Sequence, residues 1–181
     1  MAIVVNENSY LTIADADTYV AANYVSTDTK YTTWDALSDA NKEIYLKRAT
    51  KKLDRQLIRG AKAVDTQTLQ FPRALKLCGR RYEQAVYGVD VNGDRDWYVE
   101  SAVQQNVIDA QVEESLSLVT QGATANKRAE LQAQGVKSFS LGNLSEDYGN
   151  ASTTQNKTQL LSVEAKELMR FYSIGGVAIC Q

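Results

Sequence analysis

The 181 residues carry 20 Lys or Arg, 22 Asp or Glu and no histidine, for a formal net charge of −2. Without histidine, Ser–His–Asp and Cys–His catalysis and imidazole metal sites are excluded within this chain. A hydrophobic share of 44% and a charged share of 23% fit one globular domain with one sizeable core.

No apolar run approaches the ~18 residues that a membrane span needs, so no membrane partner is expected. The start, MAIVVNENSY, lacks the basic and long apolar stretches of a secretory signal. Cys78 and Cys180 lie far apart, form no metal-type pair, and read as free thiols of a reducing compartment.

The small net charge hides a strong segregation. Residues 42–81 hold twelve Lys or Arg against three Asp or Glu, a balance of +9. The remainder holds eight basic and nineteen acidic residues, a balance of −11. A basic block beside acidic flanks suits a polyanion partner. It equally suits identical subunits packed head to tail.

In chain order, Thr12 followed by Asp15 resembles a capping box opening a first helix, with Ala16, Tyr19, Val20 and Tyr24 on its apolar side. Residues 25–37 read as polar and turn-like. Ser38 is a good cap for a second helix over about 39–59. Leu46, Ala49, Leu53 and Leu57 form its apolar stripe, and Arg48, Lys51, Lys52, Arg55 and Arg59 lie opposite. Gly60 supplies a stop.

The next segment, AKAVDTQTLQFPRA, has no helical period and contains Pro72, the one proline of the chain. It reads as extended, laying Leu69 and Phe71 on the core, with Pro72 ending it. Residues 85–99 suggest a hairpin turning at Asn92-Gly93.

A third helix is expected over about 101–120. Val103, Val107, Ala110 and Leu118 lie on one side, and Ile108, Val112, Leu116 and Val119 nearly opposite. Such a helix is central in the core or pinched between core and partner. Residues 136–148 read as another hairpin, turning at Gly142-Asn143, and 149–158 as a flexible polar linker. A last helix follows, capped by Ser162, with Ala165, Leu168, Met169 and Tyr172 as its stripe.

The fold class expected is mainly α: a small helical bundle with one or two β-hairpins and a tethered C-terminal helix. The division expected is a core over 1–148, a linker over 149–158 and a terminal arm over 159–181.

Asp90, Asn92, Asp94 and Asp96 alternate like the start of a calcium loop, but Arg95 stands at the glycine position and Ser101 at that of the bidentate glutamate. A charged hairpin tip is the simpler reading, and no metal or cofactor is expected. Asp109, Glu113 and Glu114 lack a partner base or a glycine-rich loop, so exposed or interfacial charge is expected there rather than catalysis. The cationic face of the second helix is the best functional surface, either as a solvated or intersubunit face or as a polyanion contact.

Taken together, NSYLTIADADTYVAA, WDALSDANKEIYLKRATKKLD, LQFPR, VIDAQVEESLSLV, GVKSFSLGNLSEDY and LLSVEAKELMRFYSIGG resemble the head–tail connector proteins of tailed bacteriophages. Many of these carry the label DnaT-like single-stranded DNA-binding protein. The resemblance spans about residues 8–176. Leu69, Phe71, Pro72 and Arg73 match the family's apolar–Pro–Arg box, with Phe71 where tryptophan is usual. Gln104 or Gln105 stands where the family often has a proline before the third helix.

The resemblance implies a non-enzymatic, mainly helical subunit of a ring, typically twelve-fold, beneath the portal of a DNA-filled head. It would sit in the neck of the virion, and in the host cytoplasm during assembly. Its partners would be its own copies, the portal protein, the next neck or tail protein, and packaged DNA passing through the lumen. Leu168, Met169, Phe171 and Tyr172 are then the candidates for docking on portal or on a neighbouring subunit, and the Leu69–Arg73 box is architectural. The alternative is a single-stranded DNA-binding protein whose Arg48, Lys51, Lys52, Arg55 and Arg59 track phosphates.

Overall fold

The computed structural model describes residues 2–76, 97–133, 138–141, 144–147 and 160–173. Five helices dominate it: α1 (Ile13–Asn23), α2 (Thr29–Asp35), α3 (Asp39–Asp54), α4 (Gln105–Ala133) and α5 (Val163–Leu168). Strands β1 (Ala61–Lys62), β2 (Arg73–Lys76) and β3 (Trp97–Val99) form an antiparallel meander in that order. Strands β4 (Ser138–Leu141) and β5 (Leu144–Asp147) form a separate hairpin. The expectation of a mainly α fold with small hairpins holds.

The first helix opens on the expected device. Thr12 accepts from the Asp15 amide, and the Asp15 carboxylate accepts from the Thr12 amide at 3.0 Å and its hydroxyl at 2.7 Å. These bonds to the charged form hold the Asp15 carboxyl below its usual range.

The 25–37 segment departs from expectation, because seven of its residues form α2. Asp28 caps it by accepting from the Lys30 amide at 2.8 Å. A helix this short, with three threonines, has little intrinsic stability. Tertiary burial supplies it: Trp34 is 2% exposed and donates its indole N–H to Asp17 at 2.8 Å. Lys42 reaches the same carboxylate at 2.9 Å and lies 5.6 Å from the indole.

The α3 helix is shorter than the 39–59 expected. It ends at Asp54, with Arg55 as C-cap, and Ser38 makes no side-chain capping bond. Leu46, Ala49 and Leu53 are buried as the stripe requires, but Leu57 lies beyond the helix and is 77% exposed. Gly60 is therefore no helix stop. It sits at φ +80° where β1 begins, and a Cβ there would lie 2.2 Å from the Ala74 carbonyl oxygen. Close backbone approach, as much as left-handed φ, requires glycine.

The α4 helix starts at Gln105 and runs thirteen residues past the expected end at 120. Its two apolar sides mark a central element. Val107 and Ala110 pack with Tyr10, Leu53, Phe71, Leu160, Met169 and Tyr172, whereas Val112 and Leu116 pack with Leu11, Ala16, Val20, Trp34 and Leu46. Ile108 touches both groups. Between them Gln111 is fully buried and satisfied: its oxygen accepts from the Tyr10 amide, and its nitrogen donates to Ser9 Oγ and the Leu46 carbonyl. One side chain thus ties the N-terminal segment and α3 to α4.

The predicted hairpin over 136–148 is present, with Leu141 opposite Leu144. Of the other, over 85–99, only residues 97–99 are described; they form β3, which pairs with β2, a strand outside that range. The expected Asn92-Gly93 tip, the 149–158 linker, Cys78, Cys180 and the Asp90–Asp96 series lie outside the described residues. Among the described residues, no helix is long and apolar enough to cross a membrane, and no cluster of three potential metal ligands occurs.

Candidate nucleic-acid interface

The basic segment divides into cations consumed inside the protein and cations left outside. Lys42 pairs with Asp17, Lys47 with Glu43 and Lys52 with Glu114, at 2.9, 3.0 and 2.9 Å. Lys62 donates to the carbonyls of Gln67 and Thr68. Arg73, 4% exposed, donates to the carbonyls of Ile58, Arg59, Gly60 and Gln70 and to Gln70 Oε1. Desolvation pulls its pKa below the ordinary value, opposed by the Glu100 carboxylate.

Among the described cations of residues 42–55, Arg48, Lys51 and Arg55 remain. All three are exposed, and no ion pair joins them to a carboxylate among the described residues. Spaced i, i+3 and i+7, they lie on one stripe of α3 about 10 Å long. Arg48 also lies 5.7 Å from the Tyr45 ring. Of the five cations expected on this face, Lys52 turns inward, and Arg59 belongs to the strand-like segment after the helix.

Arg59 is held differently. Its amide donates to the Tyr172 carbonyl at 2.9 Å, beside an antiparallel bridge between Ile58 and Ser173. Its guanidinium carbon stands 4.2 Å from the centre of the Phe171 ring. Phe171 is 57% exposed and meets Tyr172 edge-on at 5.2 Å. The pairing of Arg59 with Phe171 joins residues 112 apart in sequence, and no local pattern announces it.

The expected apolar docking stripe does not survive as a surface. Met169 and Tyr172 are each 2% exposed, in the chain's own core, and Leu168 is partly buried against it. Tyr172 packs on Phe71 at 4.9 Å and donates to Glu100. Burial and that carboxylate push its phenol pKa up. Of the four candidates only Phe171 faces outward.

The Leu69–Arg73 box lies against the core. Leu69 and Phe71 are buried, and Phe71 also meets Tyr10 edge-on at 5.7 Å. Pro72 does not end the extended segment; β2 begins at the next residue, after a cis Phe71–Pro72 bond. The Pro72 carbonyl accepts from the Ala63 amide and the Gln67 side chain.

Glu113 and Glu114 of α4 are buried rather than exposed. Glu113 accepts from the phenols of Tyr19 and Tyr24 at 3.1 and 2.6 Å and pairs with Lys30 at 3.0 Å. Desolvation, then the Glu113 carboxylate, raises both phenol pKa values. Glu114, fully buried, takes Lys52 and the amides of Leu161 and Ser162. Asp109 accepts from the Gln105 side chain at 2.8 Å. Both buried carboxylates are saturated with donors, an arrangement that fixes structure.

The family described as "Putative DnaT-like ssDNA binding protein" matches residues 2–178. No curated protein and no solved structure matches the chain.

Proposed function

Because the chain belongs to the DnaT-like ssDNA binding protein family, we propose that it binds single-stranded DNA through the outward cationic stripe of α3. One observation carries this reading. Arg48, Lys51 and Arg55 stay exposed and aligned while neighbouring cations are consumed by buried or paired groups. Phosphate neutralisation releases condensed counterions, so binding is sequence-tolerant and salt-sensitive. The role is non-catalytic.

The test is the salt dependence of oligonucleotide affinity. Reversing all three charges (Arg48→Glu, Lys51→Glu, Arg55→Glu) removes three phosphate contacts. The slope of log K against log salt then falls in magnitude by about 2, at about 0.7 per contact for single strands. The side chains are exposed, so thermal stability stays close to wild type. An unchanged slope in a folded variant contradicts the assignment.

The charge segregation favours a second reading, the connector of a bacteriophage neck. With +9 on residues 42–81 and −11 elsewhere, head-to-tail contacts between copies would set basic face on acidic face and close a ring. That ring would stack under a portal, carry the next neck or tail protein and pass DNA. Negative-stain images of the protein with its cognate portal decide it: coaxial rings support the connector, and unaltered portals beside small particles remove it.

A further inference from the structure

We propose that Phe171 is a stacking platform for an unpaired base, with Arg59 as its cationic companion. The proposal rests on the single-stranded DNA reading and adds to it a contact with bases rather than phosphates.

Phe171 is the one aromatic side chain that is exposed among those described. It cannot retreat into the core, because the next residue, Tyr172, already fills that place beside Phe71 and Glu100. The backbone immediately after it is pinned, by the Arg59–Tyr172 hydrogen bond and the Ile58–Ser173 bridge. The ring is therefore presented rigidly, which lowers the ordering cost of stacking on it.

The guanidinium of Arg59 lies over this ring at 4.2 Å, and no described carboxylate pairs with it. Its Nε is buried without a hydrogen-bond partner among the described residues. A cation held by an aromatic face rather than by a carboxylate keeps its charge available to a phosphate. Arg55, the last cation of the α3 stripe, precedes it by four residues.

An exposed aromatic joined to an arginine, at the end of a cationic track, matches what a single strand offers: π-faces strung on phosphates. Duplex DNA keeps its base faces stacked internally and presents phosphates and groove edges, but no free π-face. The platform therefore makes the protein prefer single strands, which the α3 stripe alone does not.

The experiment is an anisotropy titration of the full chain with labelled oligothymidylate and with an abasic strand of the same length. The expected result is about tenfold weaker binding of the abasic strand, the scale of one stacked base. Phe171→Ala lowers oligothymidylate affinity by a similar factor and leaves abasic affinity unchanged, whereas Phe171→Trp retains the preference. Equal binding of the two strands, or an Ala variant indistinguishable from wild type, overturns the platform and leaves the phosphate track standing. A change in oligomeric mass of the Ala variant with unchanged DNA affinity also overturns it, assigning Phe171 to contacts between copies. No binding of either strand at low salt removes the platform and the DNA reading together.

Discussion

Replacing Arg73 by methionine destabilises the protein by about 3–5 kcal/mol, the range for removing one partner from a buried charged network. Methionine follows the aliphatic stem but supplies no donors. The carbonyls of Ile58, Arg59 and Gly60 lose a guanidinium that meets them at 3.4, 2.9 and 2.6 Å. The Gln70 carbonyl and side-chain oxygen lose Nη1 at 3.3 and 2.9 Å. Glu100, which accepts from the Arg73 amide, keeps that bond but loses the nearby positive charge. Urea denaturation reads the loss as a lower midpoint with an unchanged slope. Arg73→Lys recovers only part of it, since one ammonium cannot span carbonyls on two sides of the fork. A midpoint shift worth less than about 1 kcal/mol contradicts this account of the box.

The same substitution reaches the proposed DNA surface indirectly. Arg73 holds the backbone of residues 58–60, and that backbone places Arg59 on Phe171. The apolar–Pro–Arg box thus connects the core to the proposed stacking platform.

Glu114→Ala produces the second large effect, localised on the C-terminal arm. The carboxylate is fully buried and bonds Lys52, the Leu161 amide and the Ser162 amide. Alanine leaves both amides without their acceptor and takes the buried countercharge from Lys52, at a cost of about 3–5 kcal/mol. The arm supplies Leu160, Ala165, Met169 and Tyr172 to the core. Its release therefore precedes or accompanies global unfolding. Hydrogen exchange at Leu161 and Ser162 accelerates strongly in the Ala variant and less in Glu114→Gln, which keeps one acceptor oxygen. Unchanged protection of those amides contradicts the latch.

Local signals served the sequence reading well where the physics is local. The Thr12–Asp15 box, the Ser162 cap, the Leu46–Ala49–Leu53 stripe and the two-sided α4 all follow from spacing and side-chain type. The α2 helix escaped because Trp34 and Asp17, rather than its own threonines, stabilise it. The end of α3 was misplaced because Leu57 and Arg59 continue the helical period after the helix has stopped.

The site was half legible. Composition located the cationic stripe, but not that Lys52 is consumed by a glutamate 62 residues away. Leu168, Met169, Phe171 and Tyr172 read as one docking surface, although Tyr172 and Met169 close the core and Phe171 alone turns out. Helical phase names the face a residue shares, and only the tertiary partner decides whether that face is covered. The buried glutamates were misread for the same reason, since Lys30, Lys52, Tyr19 and Tyr24 come from other elements.

The most direct test of DNA recognition is photo-crosslinking of the full-length protein to a 5-iodouracil-substituted single strand, with peptides mapped by mass spectrometry. The account predicts crosslinks on peptides covering residues 48–59 and on Phe171, lost on addition of salt. Crosslinks confined to other peptides, such as those of the β4–β5 hairpin, or none at low salt, would contradict it.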